Sequence, residues 1–365
     1  MINAYDKNIE RNFYDKVRHI TRFELSTYPN YSTKTFKNVL KIFFKFLLRK
    51  GKKVDRYFWP NGLMAIGLEY SHKKTNDKKD LESLMEYYDN WISKGQRINH
   101  LDNIINGYTM LYIFELNGNK KYKRALDNLV EYVHNHPKDE YGSLPYRINN
   151  KNPQSINMIF IDTLGMICPF LCRYAKLFKD ELLVDLAVIQ LKNYLNLGFD
   201  ERKKLPYHGY NSKTKEKLGI IGWGRAVGWL LIGLIDSLEY IDSSHKDYKY
   251  LMDKFIDIVI TVLEYQNEDG YFSWQIEAIE GPIDTSTTSM IMYSVSKGLK
   301  LEILDNSYEK YIKKSLVAIN KSINEGHVND CSAECRGLGM YPQRYGNYPW
   351  AQGPSLALIS LWLNV

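Results

Sequence analysis

Apolar and lysine-rich helical segments take turns along this chain, and that alternation restricts the fold more than any other feature. Five segments are apolar on all sides and rich in small residues: LDNIINGYTMLYIF, IDTLGMICPFLCRYA, GRAVGWLLIGLIDSL, DTSTTSMIMYSVSKGL and AQGPSLALISLWL. Between them lie one-sided helices such as KKYKRALDNLVEYVHNH and YKYLMDKFIDIVITVLEYQ. A helix that is apolar all round belongs inside a fold, and one with a single apolar stripe belongs on its rim. Period-two alternation is scarce, and Gly/Pro clusters bound segments of helical length. The periodicity picks out helices near 34–50, 60–72, 79–94, 102–116, 120–134, 162–178, 180–197, 224–240, 246–266, 286–301, 306–324 and 353–364. The inner set recurs about every 45–65 residues, the mark of a repeated helical hairpin. Six inner and six outer helices in alternation describe an all-α (α/α)6 barrel. It spans residues 1–365 as a single domain, with residues 1–33 read as a polar N-terminal extension.

Charge and motif content narrow the function. The net charge is +7, spread along the chain without a basic arm, so nucleic acid is not an expected partner. The N-terminal MINAYDKNIERNFYDK is too polar for a secretory signal, which makes the cytoplasm the expected location. No run is long enough to insert stably in a membrane. Lys37, Lys41, Lys45 and Arg49 stripe residues 36–53, which read as an outer helix or, less simply, as a membrane-surface helix. Cys168 and Cys172 share one apolar helix face and read as buried thiols. Cys331 and Cys335, near His327, lack a second ligand pair at zinc spacing, so no metal or other cofactor is expected. Tyr (29) and Trp (7) are plentiful, side chains whose flat faces suit sugars as well as cores.

In such a barrel every inner helix starts at the same end, so the joins before them open on one funnel. Those beginnings carry Trp59, His100 with Asp102, Asp162, Trp223 with Arg225, Asp284 to Ser286, and Trp350 with Gln352. The long joins 135–161, 198–222, 267–285 and 325–352 can build the walls.

Asp162 opens FIDTLGMICPF and would serve as a helix cap in its own right. The apolar SINMIFI before it points instead to a partly desolvated carboxyl, a setting that favours the protonated acid. Asp102 holds the equivalent place one inner helix earlier, and two acids facing one hollow can divide the roles of proton donor and anion. Pro169 is expected to bend the helix behind Asp162. GWGRAVGW lacks the strand–loop–helix setting of a dinucleotide site. It reads better as a helix start that presents Trp223 for stacking and Arg225 as a fork for a sugar carboxylate. His208, in PYHGYN, matters if it shares the hollow with Asp162. Ser286 and Thr287 either cap their helix or bond sugar hydroxyls.

In this order the motifs resemble those of the unsaturated uronyl hydrolases. The closer match is to the rhamnogalacturonyl type (glycoside hydrolase family 105), and the glucuronyl type (family 88) is related. DTLGMICPFL carries Asp162 where that family has its proposed acid/base aspartate, and HLDNIING carries Asp102 at an earlier aspartate. HGYN, WGRAVGW and DTSTTSM parallel its histidine loop, its Trp-x-Arg turn and its E-T-S-x-T-A-M segment. Ala226 and Val227 replace Gly and Asn of the family pattern, Asn211 replaces an acid and Asp284 a glutamate. The resemblance implies a six-hairpin barrel, no cofactor and a small acidic oligosaccharide substrate. It implies hydration of a 4,5-unsaturated uronate, with Asp162 as acid and base, Asp102 assisting, and His208, Trp223 and Arg225 binding the uronate. Two other readings fit the same residues: an inverting glycosidase using Asp102 and Asp162 on saturated sugars, and a polysaccharide-binding barrel without turnover.

Overall fold

A computed structural model describes residues 4–29, 55–148 and 152–362. Six inner helices run Trp59–Thr75, Asn106–Asn117, Asp162–Phe178, Gly224–Leu238, Thr285–Lys300 and Pro349–Trp362. Each packs on the next, and the last packs on the first, so the ring closes. Closure depends on two glycines. A Cβ on Gly353 would lie 2.3 Å from the Leu63 carbonyl oxygen, and one on Gly67 would lie 2.5 Å from that of Gly353. Only hydrogen at both positions lets the first and last inner backbones meet.

Outer helices Lys78–Ser93, Lys120–Asn135, Glu181–Leu197, Tyr248–Leu263 and Glu309–Lys321 lean on this ring through single faces. On Lys120–Asn135 that face is Tyr122, Leu126, Leu129 and Val133, spaced three or four residues apart. Each of the expected helices from 60–72 onward is present, with ends shifted by a few residues. The segments 34–50 and 36–53 lie outside the described residues.

The N-terminal extension is a correction. Ala4–Thr27 is a 24-residue helix, absent from the twelve expected ones, and it packs on the first and last inner helices and on Lys78–Ser93. Tyr14, Val17, Thr21 and Leu25 form its buried stripe. Charged Asp15, Lys16, Arg18 and Arg22 interleave with that stripe and hide it from a reading of hydropathy alone. The Tyr14 hydroxyl bonds Ser71 at 2.8 Å and Ser360 at 3.3 Å, tying both ends of the ring.

Strands are confined to the joins. β1 (Met158–Phe160), β2 (Phe199–Asp200), β3 (Leu205–Asn211) and β4 (Lys217–Ile221) make a small antiparallel sheet with β3 between β1 and β4. Short pairs join 323–324 to 327–328 and 331–332 to 345–346. Among the described residues no helix is long and apolar enough to cross a membrane.

Candidate active site

The sheet places the two residues at the centre of the site. β1 pairs with β3 so that Phe160 faces Gly209, and the Ile161 N–H donates to the His208 carbonyl at 3.1 Å. The chain then turns directly into the inner helix that begins at Asp162. On the other edge the β3–β4 register shifts between Tyr207 and Gly209, an irregularity that re-aims the side chain of His208. His208 Nε2 and Asp162 Oδ2 lie 3.1 Å apart. The Asp162 carboxylate caps nothing in its own helix, which runs on through Pro169 to Phe178. His208 is buried, whereas the Asp162 side chain keeps 14% of its surface exposed, enough to meet a ligand.

Aromatic rings wall this pair. The His208 ring lies 4.3 Å from Trp223 and 5.6 Å from both Tyr341 and Phe160, centroid to centroid. The pocket holds about 530 Å³ of empty space including its open mouth. Trp59, Trp229, Trp223, Tyr146 and Phe160 form its apolar surface, and Asp162, His208, Arg147, Arg225 and Glu334 its polar one. Trp59 packs edge-on against Trp229 at 6.0 Å and at a tilt against Trp350 at 5.1 Å.

Arg225 reaches this pocket but is held from behind. Its guanidinium donates to the carbonyls of Ser332 at 2.9 Å and Ala333 at 2.7 Å and lies 3.6 Å from Asp284. It also sits over the Trp223 ring at 4.8 Å. Arg147 lines the same pocket and has no carboxylate partner among the described residues. Trp350 stands behind Arg225 and donates its indole N–H to the Ser332 carbonyl at 2.9 Å.

Asp102 starts its inner helix region as expected, on the short 3-10 turn Leu101–Asn103. It is buried, and His100 Nδ1 approaches its Oδ2 at 3.4 Å. The hydrogen bond to Asp102, with its charge, raises the His100 pKa against the cost of burial. Asp102 Oδ1 is buried without a hydrogen-bond partner. Tyr146 links it to the pocket. Burial pushes that phenol far above its usual range, and the charges of Asp102 and Asp162 push it further. Glu334 is raised by burial too; Arg225 and Arg147 oppose the shift, and Asp102 and Asp162 add to it.

Three expected sugar contacts are placed elsewhere. Ser286 and Thr287 are fully buried, and their hydroxyls donate to Asp284 at 2.6 and 3.1 Å. Asp284 accepts from the Ser286 N–H as well, so this trio is a helix cap and an anchor for Arg225. Gln352 is also buried: its amide accepts from Val328 N–H at 2.9 Å and donates to the carbonyls of Gly326 and Val17 at 2.9 and 3.1 Å. It stitches the last inner helix to the N-terminal one. Cys331 and Cys335 are free thiols, and Cys335 lines the pocket, its pKa pushed up to about 12 by burial first and Asp162 second. Among the described residues no three His, Cys, Asp or Glu side chains are grouped to hold a metal. A wider groove lies between Ala4–Thr27 and Lys78–Ser93, and none of the expected site residues lines it.

Tyr146, Arg147, Glu334 and Tyr341 were not singled out in the sequence. The first two lie in the wall segment 135–161, and the last two in 325–352. Those joins were recognisable as walls, but which of their side chains turn inward is set by the strand pairs.

A ring of helical hairpins with a carboxylate–histidine pair at the helix-start end is a six-hairpin barrel with an acid held at its mouth. The family model for Glycosyl Hydrolase Family 88 matches residues 32–360, and the chain belongs to that family. It is 24% identical over 310 residues to the unsaturated rhamnogalacturonyl hydrolase YesR of Bacillus subtilis (strain 168), covering 83% of this chain and 88% of the relative. It is 25% identical over 283 residues to the unsaturated 3S-rhamnoglycuronyl hydrolase of Formosa agariphila, covering 72% of each. Among solved structures, a possible member of family 105 from Klebsiella pneumoniae superposes with a TM-score of 0.78 at 20% identity, over 84% of this chain and 82% of the other.

Proposed function

We propose that this glycosyl hydrolase removes a terminal 4,5-unsaturated uronate from short, lyase-generated oligosaccharides by adding water across the C4–C5 double bond. The observation that carries the reading is the Asp162–His208 pair at 3.1 Å within an aromatic-walled pocket. The names of the two sequence relatives support the substrate class.

Asp162 gives its proton to C4, and the ring oxygen stabilises the positive charge that develops at C5. The carboxylate then takes a proton from a water molecule that adds to C5. The C5 hemiketal opens to a ketone and leaves a hemiacetal at C1, whose collapse frees the neighbouring sugar. One carboxyl serves as acid and then as base, and the cycle consumes one water. Asp102 holds Tyr146 at the pocket wall and steers the incoming water. Trp59 and the edge of Trp223, whose face is taken by Arg225, give the sugar ring an apolar wall. Arg147 meets the uronate carboxylate directly, and Arg225, fixed by Asp284 and Ser332, adds positive potential behind the site.

The test is loss of the ultraviolet absorbance of the conjugated alkene when the enzyme meets such oligosaccharides, alongside saturated analogues. Asp162→Asn should cut kcat by about 10³-fold, within the range for a removed general acid. Turnover of the saturated sugar alone, or normal turnover by Asp162→Asn, would overturn the reading.

A further inference from the structure

His208 is sealed in the pocket wall with both ring nitrogens occupied. Nε2 faces Asp162 at 3.1 Å and Nδ1 faces the Tyr341 hydroxyl at 2.7 Å. A neutral imidazole carries one proton, so whatever bonds Nδ1 decides what Nε2 can do. The Tyr341 oxygen accepts the Ile220 N–H at 3.2 Å. Its single proton has two acceptors within reach, His208 Nδ1 at 2.7 Å and the Leu338 carbonyl at 3.3 Å. The nearer contact is the better hydrogen bond.

We infer that Tyr341 is a positioning residue: its hydroxyl donates to His208 Nδ1, puts the ring proton on Nε2, and so commits Asp162 Oδ2 to accepting a hydrogen bond. The inference rests on the proposed role of Asp162. It assigns that role to one oxygen. With Oδ2 accepting from Nε2–H, the acidic proton of Asp162 sits on Oδ1, which has no partner among the described residues and is the oxygen left to substrate. After that proton reaches C4, His208 need not change tautomer, because Nε2–H already faces the new carboxylate. The opposite tautomer would turn a bare Nε2 toward the carboxyl, draw the acidic proton onto Oδ2, and aim it at His208 rather than at the alkene.

Tyr341 is also well anchored for this task. Its ring lies 5.6 Å from both His208 and Trp223 and 6.2 Å from Trp274. A Cβ on Gly219, which has φ of +76°, would lie 2.7 Å from the hydroxyl, so the strand passes close enough to pin it.

Nitrogen-15 NMR of the histidine-labelled full chain reads the tautomer directly, with eight histidines to assign. In the wild type, Nε2 of His208 should carry the proton and Nδ1 should not. In Tyr341→Phe, which keeps the ring and loses the donor, the two tautomers should mix, and kcat should fall about 10–100-fold with little change in KM, the range for partners that fix a histidine's tautomer. A wild-type Nδ1–H would overturn the inference whether or not the variant folds. A thermally stable Tyr341→Phe with unchanged tautomer and unchanged kcat would overturn it as well. Failure of the Asp162 reading shows differently: Asp162→Asn would then turn over normally, while the tautomer of His208 in the wild type stayed as measured.

Discussion

The two ends of the barrel both bury charge, and they treat it in opposite ways. Toward the C-terminal ends of the inner helices, each cation has its anion. Arg173 meets Glu69 at 2.8 Å and Glu115 at 2.6 Å, and it also donates to the Tyr108 carbonyl. Lys297 lies 2.6 Å from Asp236 and also contacts Glu239. The charges of Arg173 and Lys73 overcome burial and hold Glu69 down at a pKa of about 2. At the mouth Arg225 keeps Asp284 at 3.6 Å, but Asp162 meets His208 and Asp102 meets His100 and Tyr146, with no lysine or arginine on either, and Arg147 has no carboxylate within ion-pair distance among the described residues. Isolated charge in a partly dry pocket is costly to the fold, and a ligand of matching charge relieves the cost. The far end pairs its carboxylates with cations and holds the ring, and the mouth leaves Asp162 and Asp102 without one, where substrate completes the set.

Variants at the two ends should therefore separate activity from stability. The largest effect belongs to Asp162→Asn, whose loss of turnover should come with a thermal midpoint that does not fall. At the other end, Arg173→Met leaves Glu69 buried without its guanidinium. It should cost about 3–5 kcal/mol in denaturant unfolding while sparing kcat per folded molecule. If Arg173→Met abolished turnover in the folded fraction, the division between the ends would fail. Arg147→Ala should raise KM about 10–100-fold with kcat nearly kept, the size of a lost charged hydrogen bond. The smallest effect is on acid stability. Glu69 ionises lower in the folded chain than its ordinary 4.5. Its contribution is therefore complete above about pH 5 and fades as pH falls toward about 2. Asp236, raised because burial outweighs the pull of Lys297, works in the opposite sense. Acid titrations of Glu69→Gln against wild type should show a flatter loss over that window.

Helix character was the most readable part of the sequence, because burial on all sides or on one leaves a direct imprint on residue order. The start of each inner helix was readable as well, and with it Asp162, Asp102, Trp223 and Arg225. What failed was orientation within a helix start. Ser286 and Thr287 occupy the right turn, and of the two roles open to them capping wins, because Asp284 takes both hydroxyls. Gln352 likewise spends its amide on backbone brought in from residues 17, 326 and 328. Tyr341 gave no signal because its meaning comes from a contact with His208, 133 residues earlier in the chain. The Ala4–Thr27 helix escaped because four apolar or neutral positions suffice to bury it when its other faces stay in water.

The seam between the first and last inner helices sets a timetable. Tyr14 and Ser360 are 346 residues apart, and the Gly67–Gly353 crossing lies beside them. A growing polypeptide cannot close this circle until nearly all of it has left the ribosome, so the hairpins made first must wait with one flank exposed.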